Sequence, residues 1–226
     1  MGQTRGMRIT LPSGTPAELA RPADGREPSR GLVIIPDVGG LRPLFADHAQ
    51  RIADEQGWAV CAFELYPGRE HLPVEERLAQ GASLSDKQIL GDAAAAADTC
   101  GVEPVGVTGF CMGGMFTLKA AGTGRFARAV AFYGMIRVPQ RWRSEAQAEP
   151  LELLASPESC PTMAIIGTAD PYTPPDDVAA LEEAGVTVVR YESAEHGFVH
   201  DPDRPAHRPD DAADAWPRAL AFLAGS

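Results

Sequence analysis

With 226 residues, 44% of them hydrophobic and 23% charged, the chain is long enough for one sizeable core and reads as a single domain over 1–226. A formal net charge of -11 leaves no basic surface to neutralise phosphates, so nucleic acid is excluded as an expected partner. No apolar run approaches the roughly 18 residues of a membrane span, the first residues lack the apolar core of a secretory signal, and Gly6 stands where a myristoylation signal needs Ser or Thr.

In chain order, "MRITLP" and "AELARP" suggest a hairpin around Ser13-Gly14. "RGLVIIPD" reads as a buried strand, "RPLFADHAQRIADEQG" as an amphipathic helix closed by Gly57, and "WAVCAFELY" as the next strand. "DKQILGDAAAAADTC" is helical, "PVGVTGF" is a strand, and a helix runs from Met112 onward. "ARAVAFYG", "TMAIIGTAD" and "VTVVRYE" supply three more strands, with "DDVAALEEAG" as a helix between the last two. "DDAADAWPRALAFLAG" reads as a closing helix with Pro217 near its middle, its start expected closer to Pro217 than the pattern suggests because proline breaks a helix interior. Nearly continuous apolar strands alternating with helices predict an α/β fold: a mostly parallel sheet of about eight strands, helices on both faces, and no large cap domain. In such sheets reactive groups collect in loops at the carboxyl ends of strands.

The four cysteines, Cys61, Cys100, Cys111 and Cys160, are widely spaced with no CxxC pair; reduced thiols in a cytoplasmic protein are expected, not a disulfide frame or a zinc site. One of them sits at a bend. Gly109-Phe110-Cys111-Met112-Gly113 fits a G-x-nucleophile-x-G elbow with Cys in place of Ser. A sharp strand-to-helix turn strains its central residue, needs small neighbours, and lifts the nucleophile to the positive end of the helix. There the amide of Met112 points where an oxyanion would form. Taken alone, Cys111 also fits a buried structural thiol; a phosphate loop fits less well, since no Gly-Lys-Ser/Thr follows.

A nucleophilic thiol needs a base, and the base needs an orienting acceptor. Of five histidines, His48 lies in the first amphipathic helix and His71 in a polar Pro/Gly loop, both expected in solvent. His196 follows the last strand and precedes glycine, and Asp170 follows the strand before it. The order Cys111, Asp170, His196 is that of the elbow hydrolases, although Asp170 by itself could be a helix cap or a loop charge.

These stretches resemble the dienelactone hydrolase family, α/β-hydrolases with a cysteine nucleophile, from about Met7 to Leu223. "GLVIIPDVGGL", "VTGFCMGG", "AVAFYG", "CPTMAIIGTADPYTPPDDV" and "EHGFVHDPDRP" carry the resemblance, the cysteine elbow and His-Gly-Phe most specifically. It implies that Cys111, Asp170 and His196 form the catalytic triad. In the family a carboxylate after the first long strand, usually Glu, contacts the resting thiol; the matching residue is Asp37, one methylene shorter, acting less directly or through a water. Capping of the next helix is the alternative for Asp37. The amide of Val38 matches the second oxyanion donor beside that of Met112. Members acting on the anionic dienelactone hold its carboxylate with arginines, one of them four residues after the catalytic histidine; here that position is His200. Arg77, Arg137, Arg141, Arg143 and Arg204 are candidates to compensate, against the simpler reading of solvated surface charges.

The expected reaction is hydrolysis of a small-molecule ester or lactone through a thioester acyl-enzyme. No cofactor is implied, and no histidine pair at ligand spacing suggests a metal. The expected state is a monomer or small homo-oligomer, away from membranes. Aryl esters and activated phosphotriesters are alternative substrates of the same machinery. A redox-sensing thiol or a small-ligand binder on the same fold is the alternative of a different class.

Overall fold

The computed structural model describes residues 6–225; Met1 to Arg5, on which the reading of an unlipidated start partly falls, and Ser226 lie outside the described residues. The expected hairpin is β1 (Met7–Thr10) and β2 (Pro16–Ala20), paired antiparallel around a turn in which Gly14 takes φ 90. There follow β3 (Gly31–Ile35), β4 (Ala59–Phe63), β5 (Val105–Phe110), β6 (Arg128–Phe132), β7 (Thr162–Gly167) and β8 (Thr187–Tyr191). They form one eight-stranded sheet in the order β1-β2-β4-β3-β5-β6-β7-β8. β2 meets β4 antiparallel, and every pairing from β4 through β8 is parallel. β3, β4, β5 and β7 are buried at every residue, which is why each reads as an unbroken apolar run and not as an alternation.

The helices are α1 (Pro43–Gln56), α2 (Val74–Ala79), α3 (Asp86–Cys100), α4 (Met112–Ala121), α5 (Pro150–Leu154), α6 (Pro175–Glu183) and α7 (Pro209–Ala224). Gly57 ends α1 as expected, at φ 72 with its amide on the carbonyl of Ala53. Ser85 caps α3 by accepting from the amide of Gln88. The two-residue period of β5 shows which helix covers which face. A Cβ on Gly106 would meet Leu223 of α7, whereas one on Gly109, on the opposite side, would meet Gly113 and Thr117 of α4. α1 lies with α7, joined where the His48 and Trp216 rings stand 5.2 Å apart.

Two expectations are corrected. α7 does not wait for Pro217 but begins at Pro209, a first-turn proline followed by Asp210 and Asp211, and carries Pro217 inside it. The buried stripe Ala212, Ala215, Ala219, Leu220 and Leu223 outweighs the roughly 3 kcal/mol that a mid-helix proline costs. His48 is half-buried between α1 and α7 rather than in solvent, and its Nε2–H donates to the carbonyl of His200 at 2.7 Å. His71 is exposed. No helix among the described residues is long and apolar enough to cross a membrane.

Because β3 through β8 run parallel, the loops after them gather at one edge of the sheet. That edge carries Asp37, Cys111, Tyr133, Asp170 and His196, each beyond a different strand.

Candidate active site

Cys111 joins β5 to α4 with φ 57 and ψ -118, a conformation that L-residues rarely hold. Its amide donates to the carbonyl of Phe132 at 3.1 Å, and its own carbonyl accepts from Met115 at 3.0 Å, so the bend is fixed from both sides. The flanking glycines have a steric cause. A Cβ on Gly113 would stand 2.1 Å from the carbonyl oxygen of Ile35 and 2.2 Å from that of Pro36. One on Gly109 would stand 2.4 Å from the carbonyl oxygen of Gly113. The helix start therefore packs backbone to backbone on the end of β3, next to Val38.

Asp170 ends a turn after β7 and is buried, with Oδ1 accepting from the amide of Tyr172 at 2.9 Å and Oδ2 facing Nδ1 of His196 at 2.8 Å. The turn is local: Asp170 does not cap α6, whose N-cap is Pro174. Nε2 of His196 is buried without a hydrogen-bond partner among the described residues. Burial works to lower the pKa of this imidazole, but the hydrogen bond to Asp170 and the neighbouring sulfur of Cys111 prevail and raise it to about 10. The Cys111 side chain therefore lies beside the ring, in the looser geometry common before substrate arrives. Tyr133 and Tyr172 flank the ring edge-on, with centroids 5.3 and 4.9 Å away. The elbow, the placement after strands and the order Cys111, Asp170, His196 single out these residues, and the structure sets them side by side.

Asp37 lies in a buried polar cluster. Its hydrogen bonds run not to the thiol but to the amide of Gly39 at 2.8 Å, Arg42 at 2.6 and 3.1 Å, Arg204 at 2.8 Å and Nε2 of His200 at 2.8 Å. Nor does it cap α1, whose N-cap is Arg42. Burial would raise the pKa of its carboxyl, but hydrogen bonds from His200 and Arg42 hold it well below the usual carboxylate range. Sequence reasoning registered His200 only as a missing arginine. It is in fact 1% exposed, with Nδ1 accepting from the hydroxyl of Tyr133 and its pKa lowered by burial. No local signal could have found this group, because Asp37 and Tyr133 lie 163 and 67 residues from His200.

The candidate arginines divide. Arg77 is buried and donates to the carbonyls of Leu72 at 2.9 Å, Gly39 at 2.7 Å and Glu70. Arg204 and Arg42 bind Asp37 and Asp201. Arg137 and Arg143 are exposed and pair with Asp177 and Glu149, while Arg141 lies exposed over Trp142. An open cleft of about 340 Å³ borders the site, walled by Val38, Leu72, Pro73 and Val74 with Arg77 and Arg204 at its polar side. Among the described residues no group of three or more His, Cys, Asp or Glu side chains is placed to hold a metal ion.

An eight-stranded, mostly parallel sheet with helices on both faces and a strained cysteine at a strand-to-helix elbow defines an α/β-hydrolase fold. More closely, residues 16–225 match the dienelactone hydrolase family, and the chain belongs to it. It is 26% identical over 223 residues to a protein from a Bradyrhizobium species named a probable 2-oxo-3-(5-oxofuran-2-ylidene)propanoate lactonase, covering 92% of this chain and 88% of that one. A protein of Methylorubrum extorquens, provisionally named a carboxymethylenebutenolidase, is 29% identical over 234 residues, covering 94% and 77%. The fold is shared with a crystal structure from Klebsiella pneumoniae provisionally named a dienelactone hydrolase, with a TM-score of 0.86, 24% identity and 98% of both chains covered.

Proposed function

We propose that this protein, acting as a single hydrolase domain, cleaves small esters or lactones with Cys111 as nucleophile, His196 as base and Asp170 as its orienting acceptor. One observation carries the reading: an imidazole held at Nδ1 by a buried carboxylate keeps its other nitrogen free beside a thiol at the elbow. A sensor thiol needs no such base.

The thiolate of Cys111 attacks the carbonyl carbon, and its displaced proton rests on Nε2 of His196. The tetrahedral oxyanion lies between the amides of Val38 and Met112, neither of which donates to a protein acceptor among the described residues. Each well-placed donor of this kind contributes roughly 3–4 kcal/mol. As the carbonyl reforms, the carbon–oxygen bond breaks and His196 gives its proton to the departing alkoxide, which stays tethered if the substrate was a lactone. His196 then takes a proton from water, the resulting hydroxide attacks the thioester, and the acid leaves as the thiol is restored. The relatives' names favour an unsaturated five-membered lactone, and four free cysteines fit a reducing cytoplasm.

The test is hydrolysis of p-nitrophenyl acetate and of a five-membered enol lactone by the whole chain. Activity abolished by iodoacetamide, by C111A and by H196A is the expected outcome. A protein fully alkylated at Cys111 yet inactive on every ester and lactone from the outset refutes the reading in favour of a thiol sensor.

A further inference from the structure

The ring of His196 is held at one atom only, Nδ1, and sits on a loop whose next residue, Gly197, takes φ 85. A single hydrogen bond leaves a ring free to swing about it, while a 1 Å misplacement of a catalytic group can lower rates by roughly 100-fold. Something else must fix the plane. The edge-on ring of Tyr133 is in place to do so, and Tyr133 itself holds φ 39, a backbone state with a cost of about 1–3 kcal/mol that persists only where its surroundings impose it. Its amide is tied to Ile165 at 2.7 Å and its hydroxyl to Nδ1 of His200.

His200 in turn cannot move. Its Nε2–H donates to Asp37, its carbonyl accepts from His48, and its ring stacks on Phe110 at 4.8 Å, the residue preceding Cys111. Asp37 belongs to the loop that carries the Val38 amide, and the same carboxylate takes Arg204 from the His196 loop. A hydrogen-bonded chain thus runs from the oxyanion loop through His200 to Tyr133, whose ring stands edge-on with that of His196. Asp37, His200 and Tyr133 are at most 1% exposed, so none of them offers a group to solvent. Three buried polar side chains among aromatic rings are stabilising only when every hydrogen bond is made, and an apolar trio would fill the space without that desolvation.

We propose that Tyr133 and His200, anchored on Asp37, are positioning residues that fix the imidazole of His196 against the elbow thiol. The proposal rests on the hydrolytic reading for its consequence in turnover, but its geometry can be read from the thiol alone. Wild type, Y133F, H200A and H200Q are compared in two ways: kcat and KM on p-nitrophenyl acetate, and the rate at which each cysteine is alkylated by iodoacetamide, resolved by peptide mass spectrometry. Y133F and H200A should lower kcat and the alkylation rate of Cys111 by roughly 10- to 100-fold, with KM within about twofold, because the lost contacts never touch the substrate. H200Q keeps a donor for Asp37 but no acceptor where Nδ1 stood, so it should lose kcat and Cys111 alkylation to about the extent of Y133F. Half-buried Cys160 should react as in the wild type, and buried Cys61 and Cys100 should stay protected.

Wild-type values of both kcat and Cys111 alkylation in Y133F and H200A would overturn the proposal. So would loss accompanied by alkylation of Cys61 and Cys100, which marks general unfolding. A wild-type protein that hydrolyses nothing would sink the hydrolytic reading, while the alkylation comparison would still decide the positioning.

Discussion

Replacing Asp170 by Asn tests the role of the carboxylate at almost constant shape. Oδ1 of Asp170 accepts from the amide of Tyr172 at 2.9 Å, so in D170N the carboxamide oxygen must take that place, because an amide hydrogen there would face another. The carboxamide nitrogen then occupies the Oδ2 position, 2.8 Å from Nδ1 of His196. A donor at that point forces Nδ1 to become an acceptor, and the ring proton moves to Nε2, the nitrogen to which the proposed mechanism sends the thiol proton. The base is then blocked without being removed. A tautomer reversal of this kind lowers kcat by about 10,000-fold, equivalent to about 5.5 kcal/mol of transition-state stabilisation. Stability should change far less, by about 1–2 kcal/mol, since a charged hydrogen bond is exchanged for a neutral one. Turnover of p-nitrophenyl acetate beside urea unfolding would separate the two. A D170N variant that folds normally and keeps kcat within about tenfold of wild type would refute the argument.

At the elbow, G113A drives a methyl group into two carbonyl oxygens of the β3 end, neither of which can rotate away; a loss of at least about 1–3 kcal/mol in urea unfolding, with activity falling in parallel, is expected. Away from the site, Lys119 is fully buried and paired with Asp86 at 2.7 Å, and burial lowers its pKa. D86A should therefore cost about 3–5 kcal/mol by stranding the ammonium, whereas K119M should be nearly neutral, because Asp86 keeps the amide of Ala148 and some exposure to water. Asp37 governs an acid-side effect. Its folded pKa lies below the ordinary 3.8, so its contribution is fully present above that value and is lost as pH falls below it toward the folded pKa. The stability gap between wild type and D37N should hold from about pH 7 to pH 5 and narrow below about pH 4, measured by urea unfolding followed through Trp fluorescence.

Strand–helix alternation and the elbow were readable because each depends on neighbours in the chain, and the order of Cys111, Asp170 and His196 because each follows a strand end in the sequence of the elbow hydrolases. A buried parallel strand announces itself by composition, and Gly109 and Gly113 mark a turn that excludes any side chain. α2 and α5 left no such mark: each is a turn or so long, too short to show a period, and is held by what it packs against. Pro217 misled because local propensity is overridden by the buried stripe on α7. The setting of Asp37 and His200 was out of reach for a different reason. It is created wholly by closure of the sheet, and a carboxylate followed by Val-Gly-Gly reads the same whether it faces a thiol, an imidazole or water.

The bend at Cys111 is secured by main-chain hydrogen bonds and by glycines on either side, while its sulfur makes no hydrogen bond among the described residues. The scaffold is thus indifferent to which atom sits on that Cβ. An oxygen could take the place of the sulfur without rebuilding the architecture beneath it, whereas Gly109 and Gly113 have no such freedom. What the elbow fixes is the absence of side chains around Cys111, and the atom on its Cβ is the replaceable component.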